Sequence, residues 1–142
     1  MTGLTISRLT TALTHQAAAG EGPAQIADAI ISTWHEIDAA LAPIVGKAGV
    51  AALYGRTLHL TTQTHPWLAN AYELFPTAVD FEALKSLLAQ QSSLDVAAVG
   101  GAFLHTFYQL LAGLIGAALT EQLLLPVLTN RLRTDAAQDL LL

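Results

Sequence analysis

The sequence has no cysteine among its 142 residues and few charged residues. Without cysteine the chain forms no disulfide, has no thiolate metal ligand and carries no cysteine nucleophile. Charged residues make up 12% of the chain, about half the usual share in soluble domains. The six Lys and Arg residues form no cluster, and the formal net charge is −5. Because phosphate binding needs clustered cations, this composition argues against a nucleic-acid partner.

Hydrophobic residues are abundant instead, at 53% of the chain. Such an excess must be buried in a membrane, in an oligomer interface or in an Ala- and Leu-rich helical core. A chain of this length buries roughly two thirds of its unfolded surface as one domain. The N-terminus is not typical of a signal peptide, because its one cation, Arg8, lies inside the apolar pattern. We therefore expect a single cytoplasmic domain over residues 1–142.

The longest uncharged run covers 24 residues, from Val96 to Leu119. It is long enough to cross a bilayer as a helix. Against that interpretation, His105 and Gln109 lie near its middle, where lipid exposure is costly. No belt of aromatic and cationic residues flanks both ends of the run. The run therefore predicts the central helix of a soluble bundle rather than a membrane-spanning or peripheral membrane segment.

Helical periodicity dominates the rest of the chain. Pro23 is suited to the start of a helix, and Pro43 should disturb or end that helix. Ser92 or Ser93 caps a long last helix, and Pro126 kinks or ends it. No repeat with a period of about 20 to 50 residues is visible. The prediction is an all-α, single-domain bundle of five or six helices with a long, central, apolar C-terminal helix. The clearest amphipathic stripe consists of Ile26, Ile30, Trp34, Ile37, Leu41 and Ile44.

Small and polar residues recur inside the uncharged run at steps of three and four, which places them on one side of a single helix. We call this set the polar stripe: His105, Gln109, Gly113, Gly116 and Thr120. The glycines would allow a neighbouring helix to approach closely. The sequence therefore predicts that the polar stripe is an internal contact site, facing a neighbouring helix, a cavity or a second subunit. It also predicts a buried His105 that donates to the backbone or to a partner such as Gln109.

A second group of polar and aromatic residues surrounds Pro66. Arg56 and His59 are three residues apart, share a helical face and form a candidate anion-facing pair. Trp67 is a candidate anchor for a ligand or a partner. Alternatively, Trp67 plugs the end of the bundle and Arg56 extends to solvent. The full candidate ligand-binding set is Tyr54, Arg56, His59, His65, Trp67, His105 and Gln109.

A third feature is the segment WHEIDAALAPI at residues 34–44, in which Glu36 follows His35 on an amphipathic helix. This segment resembles the phosphoacceptor box of sensor histidine kinases. The resemblance implies that His35 accepts a phosphoryl group while the adjacent carboxylate orients the imidazole. Ala40 replaces the family's proline, and no glycine-rich nucleotide-binding region follows, which leaves a phosphotransfer module and excludes a kinase. The alternative is an ordinary solvated helix face.

No enzyme class is indicated elsewhere. The five histidines have no zinc-binding or di-iron spacing, and no serine occupies a nucleophile elbow, so we expect neither metal nor cofactor. Scarce charge favours a homo-oligomer, such as a dimer, and a protein partner. The sequence therefore predicts a non-enzymatic helical regulatory or protein-interaction module that self-associates. The alternatives are a small-molecule sensor with a pocket near Arg56, His59, Trp67 and His105, and histidine phosphotransfer through His35.

Overall fold

A computed structural model describes residues 2–68 and 81–141 of the chain, and this part is almost entirely helical. Its elements are α1 (Thr2–Ala18), α2 (Pro23–Thr62), a 3₁₀ turn (Pro66–Leu68), α3 (Phe81–Ala89), α4 (Ser93–Ile115) and α5 (Ala117–Leu141). No strand occurs in these two ranges, and the predicted all-α bundle is confirmed. The predicted single long C-terminal helix is not observed, because the helix ends before Gly116 and a new one starts after it.

The long helix α2 is folded back on itself at Gly46, where φ is 79° and ψ is 158°. A straight helix would separate Trp34 from Tyr54, twenty residues later, by about 30 Å. Instead, the Tyr54 hydroxyl donates a hydrogen bond of 3.1 Å to the Trp34 carbonyl oxygen. Residues 23–45 and residues 47–62 therefore pack side by side, and Pro43 is accommodated without ending the helix.

A glycine with positive φ also separates α4 from α5. Gly116 has φ of 91° and ψ of 152°, values that only glycine adopts without strain. At the other end of α4, the Ser92 hydroxyl accepts a hydrogen bond of 3.2 Å from the Asp95 amide. Ser92, rather than Ser93, is therefore the cap, and it satisfies one of the free amides of the first turn.

The helix–glycine–helix arrangement occurs twice, and Gly46 and Gly116 lie 70 positions apart. We call residues 23–59 unit 1 and residues 93–129 unit 2. Only eight paired positions carry identical residues: Ala27/Ala97, His35/His105, Leu41/Leu111, Ala42/Ala112, Gly46/Gly116, Ala48/Ala118, Leu53/Leu123 and Leu58/Leu128. Burial repeats far more closely than identity. Eleven pairs are buried in both units: 26/96, 27/97, 30/100, 31/101, 33/103, 34/104, 37/107, 41/111, 50/120, 54/124 and 58/128.

The helices that precede the two units pack reciprocally. Helix α1 packs on α4, and helix α3 packs on α2, so each unit is covered by the helix in front of the other. A salt bridge of 2.9 Å joins Lys85 of α3 to Asp28 of α2. Near the start of unit 2, the Ser93 hydroxyl donates a hydrogen bond of 2.7 Å to the carbonyl oxygen of Glu21, which lies between α1 and α2. The two units therefore form one interlocked core.

Four aromatic rings occupy the centre of this core. The Trp34 ring lies 5.0 Å from the rings of Tyr54, Phe103 and Phe107, in edge-to-face geometry. Tyr54 also stacks on Phe107 at 5.1 Å. Edge-to-face and offset contacts at these separations are the favoured aromatic geometries. The cluster joins both segments of α2 to α4 and thus holds unit 1 against unit 2.

The close helix approach predicted for the uncharged run is found at its start. A Cβ atom on Gly101 would lie 2.6 Å from two side-chain atoms of Thr10, and one on Gly100 would lie 2.6 Å from Ile30. Such distances are too short for real carbon contacts, so Gly101 allows Thr10 of α1, and Gly100 allows Ile30 of α2, to approach α4 closely. Gly113 and Gly116, the glycines of the polar stripe, have no neighbour within 4 Å of a Cβ position.

Two helices, Pro23–Thr62 and Ser93–Ile115, are long and apolar enough to cross a membrane by length and composition. The core helices of soluble proteins meet the same criteria. The fold-back at Gly46 further divides the first of them into shorter segments.

Candidate functional sites

The polar stripe faces solvent, which corrects the prediction that it faces a neighbouring helix or a cavity of the same chain. His105, Gln109, Gly113 and Gly116 are exposed, and only Thr120 is buried. The core-facing side of α4 carries the larger apolar residues instead, among them Phe103, Phe107 and Leu111. Thr120 lies beyond the break at Gly116, on α5, and so does not share a helix face with the others. The prediction assumed one unbroken helix.

His105 and Gln109 are brought together as predicted, although His105 is exposed rather than buried. The amide nitrogen of Gln109 lies 3.1 Å from Nε2 of His105, one helical turn away. The amide donates to Nε2 when the imidazole proton is on Nδ1. The pair presents both hydrogen-bond donors and acceptors on the surface of α4.

The predicted ligand-binding residues differ in their exposure. Tyr54 is buried in the aromatic cluster, whereas Arg56 and His59 are exposed. Two residues along a helix rotate the side chain by about 200°, so Arg56 points away from the core that Tyr54 enters. Arg56 and His59 share the outer face, as expected from their spacing.

The residues around Pro66 have local structural roles. His65 is half-buried, and its Nδ1 lies 3.0 Å from the Thr64 hydroxyl. Trp67 is half-buried in the 3₁₀ turn and packs against the hydrophobic core. This placement of Trp67 agrees with the interpretation that it closes the end of the bundle.

His35 is exposed on α2, as a phosphoacceptor must be. The adjacent Glu36 is half-buried, and its Oε2 is a buried oxygen without a hydrogen-bond partner among the described residues. His35 corresponds to His105 in unit 2, and Ala48/Ala118 is the other identical pair with exposed side chains. The remaining identical pairs are buried or half-buried alanines and leucines, or the glycines at the two breaks, and these residues serve the core or the chain reversal.

The ionisation of Tyr54 gives a testable consequence of its burial. Burial, with a smaller contribution from the Asp38 charge, raises the pKa of the Tyr54 phenol well above its ordinary value of about 10. Below pH 10 the phenol is protonated in both folded and unfolded chains and contributes no pH dependence. Above that pH only the unfolded chain loses the proton, so the free energy of unfolding falls as pH rises.

We expect Tyr54→Phe to reduce this alkaline loss of stability. The measurement is urea unfolding of wild type and Tyr54→Phe between about pH 9 and about pH 11. All other titrating groups are common to the two proteins, so the difference in slope reports Tyr54. Equal slopes would contradict the assignment of a protonated, buried phenol.

Apolar exposure, rather than a cluster of reactive groups, distinguishes the surface. Among the described residues, no three His, Asp or Glu side chains are placed to hold a metal ion. Four large aliphatic side chains are exposed there: Ile44, Leu94, Leu114 and Leu119. Ile44 and Leu114 are equivalent in the two units. The sequence signal for this equivalence is the set of identical His, Leu-Ala and Gly residues that lie 70 positions apart. No family model, curated protein or solved structure matches this chain.

Proposed function

We propose that this protein is a non-enzymatic helical module that regulates or links other proteins and that self-associates. The observation that carries the proposal is the exposure of Ile44 and Leu114, at 52% and 63%, two residues before each helix break. Large exposed aliphatic residues in a continuous apolar surface are typical of protein-contact sites. Both units expose a large aliphatic residue at the same position, so the chance exposure of a single leucine does not explain the observation.

The low charge of the chain supports the same conclusion. Unit 2 contains no charged residue between Asp95 and Glu121, yet many of its side chains in that range face solvent. Water solvates an apolar surface without charges weakly, and the free energy falls when a second protein surface covers it. A small-molecule sensor has less support, since Tyr54 is buried in the core whereas Arg56, His59 and His105 are exposed to solvent.

Sedimentation equilibrium of the wild-type protein tests self-association. We expect an average mass above the 14.9 kDa of the monomer, rising with concentration as mass action requires. A monomer mass at every concentration up to about 100 μM would contradict self-association.

Histidine phosphotransfer through His35 is a second candidate, favoured by the exposure of His35 and by its match with His105. In the proposed step an imidazole nitrogen attacks the phosphorus of an acyl phosphate. The P–N bond forms, the P–O bond to the acyl group breaks, a carboxylate leaves and the ring releases a proton. Acetyl phosphate is the probe, and intact-mass and fragment analysis locate the phosphoryl group. Phosphorylation that His35→Ala removes and Lys47→Ala retains supports the candidate; an unmodified wild-type His35 excludes it.

A further inference from the structure

We propose that His105 is a second phosphoryl-acceptor site, in which Gln109 positions the imidazole and binds the transferred group. The donor is a small acyl phosphate, the class of donor named above for His35. The inference rests on the phosphotransfer candidate for its chemistry, because it assigns the same reaction to a second residue of the chain.

The two units share histidine at a position that the core does not use. Both rings are exposed, so neither belongs to the buried residues that the units have in common. Five positions that are exposed in both units carry a polar or charged side chain in unit 1, and unit 2 has a different residue at four of them. The five pairs are Gln25/Asp95, Asp28/Ala98, His35/His105, Lys47/Ala117 and Arg56/Pro126. The shared surface histidine therefore points to a use of the imidazole itself in both units.

Gln109 fixes the form in which the His105 ring reacts. The amide nitrogen of Gln109 lies 3.1 Å from Nε2 of His105 and donates to it when the ring proton is on Nδ1. In this tautomer the lone pair of Nε2 is the nucleophile. Both side chains are exposed, so a donor molecule reaches Nε2 from solvent by displacing one hydrogen bond of modest strength.

The charge along the helix of His105 suits an anionic group better than the charge along the helix of His35. Three carboxylates lie near His35 in the sequence, and an uncharged residue occupies each equivalent position near His105. The pairs are Asp28/Ala98, Glu36/Thr106 and Asp38/Tyr108. A phosphoryl group carries negative charge, and neighbouring carboxylates repel it. The uncharged neighbours of His105 therefore lower the electrostatic cost of the transfer.

In the proposed step the Nε2 lone pair of His105 attacks the phosphorus of the acyl phosphate. The P–N bond forms, the P–O bond to the acyl group breaks, and the acyl group leaves as a carboxylate. The phosphorylated ring then releases its Nδ1 proton to solvent. The Gln109 amide, released from Nε2, donates to an oxygen of the phosphoryl group. Because this new hydrogen bond is charge-assisted, Gln109 stabilises the transferred group more than the free imidazole.

Phosphorylation of the full chain with acetyl phosphate tests the assignment, and fragment mass spectrometry locates the phosphoryl groups. We expect a phosphoryl group on His105 in the wild type, its loss in His105→Ala and its retention in His15→Ala. His15 is the matched control, since it is an exposed histidine of α1 that lies outside both units. Modification of His15 to the same extent as His105 would show that any exposed histidine reacts, and would overturn the assignment.

The role of Gln109 is tested by the rate of phosphorylation at His105. Gln109→Leu keeps a long side chain but removes the amide donor, so we expect a rate about three- to tenfold lower, the effect of one hydrogen bond. Gln122→Leu makes the same change at an exposed glutamine of α5, and we expect the wild-type rate. Circular dichroism compares the helix content of these proteins. Equal rates in the two variants would overturn the positioning role of Gln109.

The two histidines give outcomes that can be told apart. A wild type that is phosphorylated at His35 and not at His105 would overturn the inference and leave the His35 candidate standing. Phosphorylation at His105 alone supports the inference and excludes His35. A wild type that is modified at neither residue would overturn both.

Discussion

Trp34→Ala is expected to lower the free energy of unfolding by about 3–5 kcal/mol, a large part of the roughly 5–15 kcal/mol of a typical domain. Trp34 is 2% exposed and contacts the rings of Tyr54, Phe103 and Phe107. Its removal leaves a cavity at the point where α2 and α4 meet. Because the two units share this contact, the loss weakens the whole core rather than one helix.

Urea unfolding followed by circular dichroism measures this effect, and Trp67→Ala is the matched control. Trp67 is half-buried at the end of the bundle, so its loss removes fewer contacts and is expected to cost less. Trp34→Phe retains an aromatic ring and is expected to recover part of the stability. A larger loss for Trp67→Ala than for Trp34→Ala would contradict the central role of the aromatic cluster.

Gly46→Ala and Gly116→Ala are each expected to destabilise the protein by about 1–3 kcal/mol. Both glycines have positive φ with extended ψ, a region that residues with a Cβ atom avoid. The cost comes from the backbone alone, since no atom lies within 4 Å of a Cβ position at either glycine. The two equivalent substitutions should have similar costs if the two breaks are equivalent.

Gly55→Ala is the control for the two break glycines. Gly55 lies inside the helical segment 47–62, where a Cβ atom also meets nothing within 4 Å. Alanine is the better helix former, so this substitution is expected to stabilise the protein by about 0.5–1 kcal/mol. Thermal unfolding of the three variants gives the comparison. Stabilisation by Gly46→Ala would show that the fold-back does not depend on a glycine conformation.

Local chemistry predicted the starts of α2 and α4, but Pro126, predicted to kink or end the last helix, lies inside α5. Pro23 begins α2 because its missing amide hydrogen is not needed there, and Ser92 caps α4 through a hydrogen bond to Asp95. These signals act within a few residues and need no knowledge of the rest of the fold. The break at Gly116 was missed, because a glycine between apolar residues gives no sign of its φ angle.

The orientation of α4 was predicted wrongly for a related reason. Helical periodicity identifies a buried face by the contrast between apolar and charged sides. The run from Val96 to Leu119 has no charged side, so His105 and Gln109 were placed inside on the strength of their spacing alone.

The relation between the two units was hidden because most equivalent residues differ. Trp34 is equivalent to Leu104, and Tyr54 is equivalent to Leu124. All four residues are buried, yet the two residues of each pair are of different types. Burial is what the two units share. The grouping of Tyr54, Arg56 and His105 into one pocket could not be tested from sequence, since convergence of side chains from different helices is a tertiary property.

Intermolecular NOEs in a mixed sample of ¹³C-labelled and unlabelled protein test the central claim most directly. Such contacts require protons of two chains to lie within about 5 Å of each other, close to van der Waals packing of their side chains. We expect intermolecular NOEs to the methyl groups of Ile44 and Leu114, the exposed aliphatic residues on which the proposed self-association rests. A sample in which neither residue shows intermolecular NOEs would contradict it.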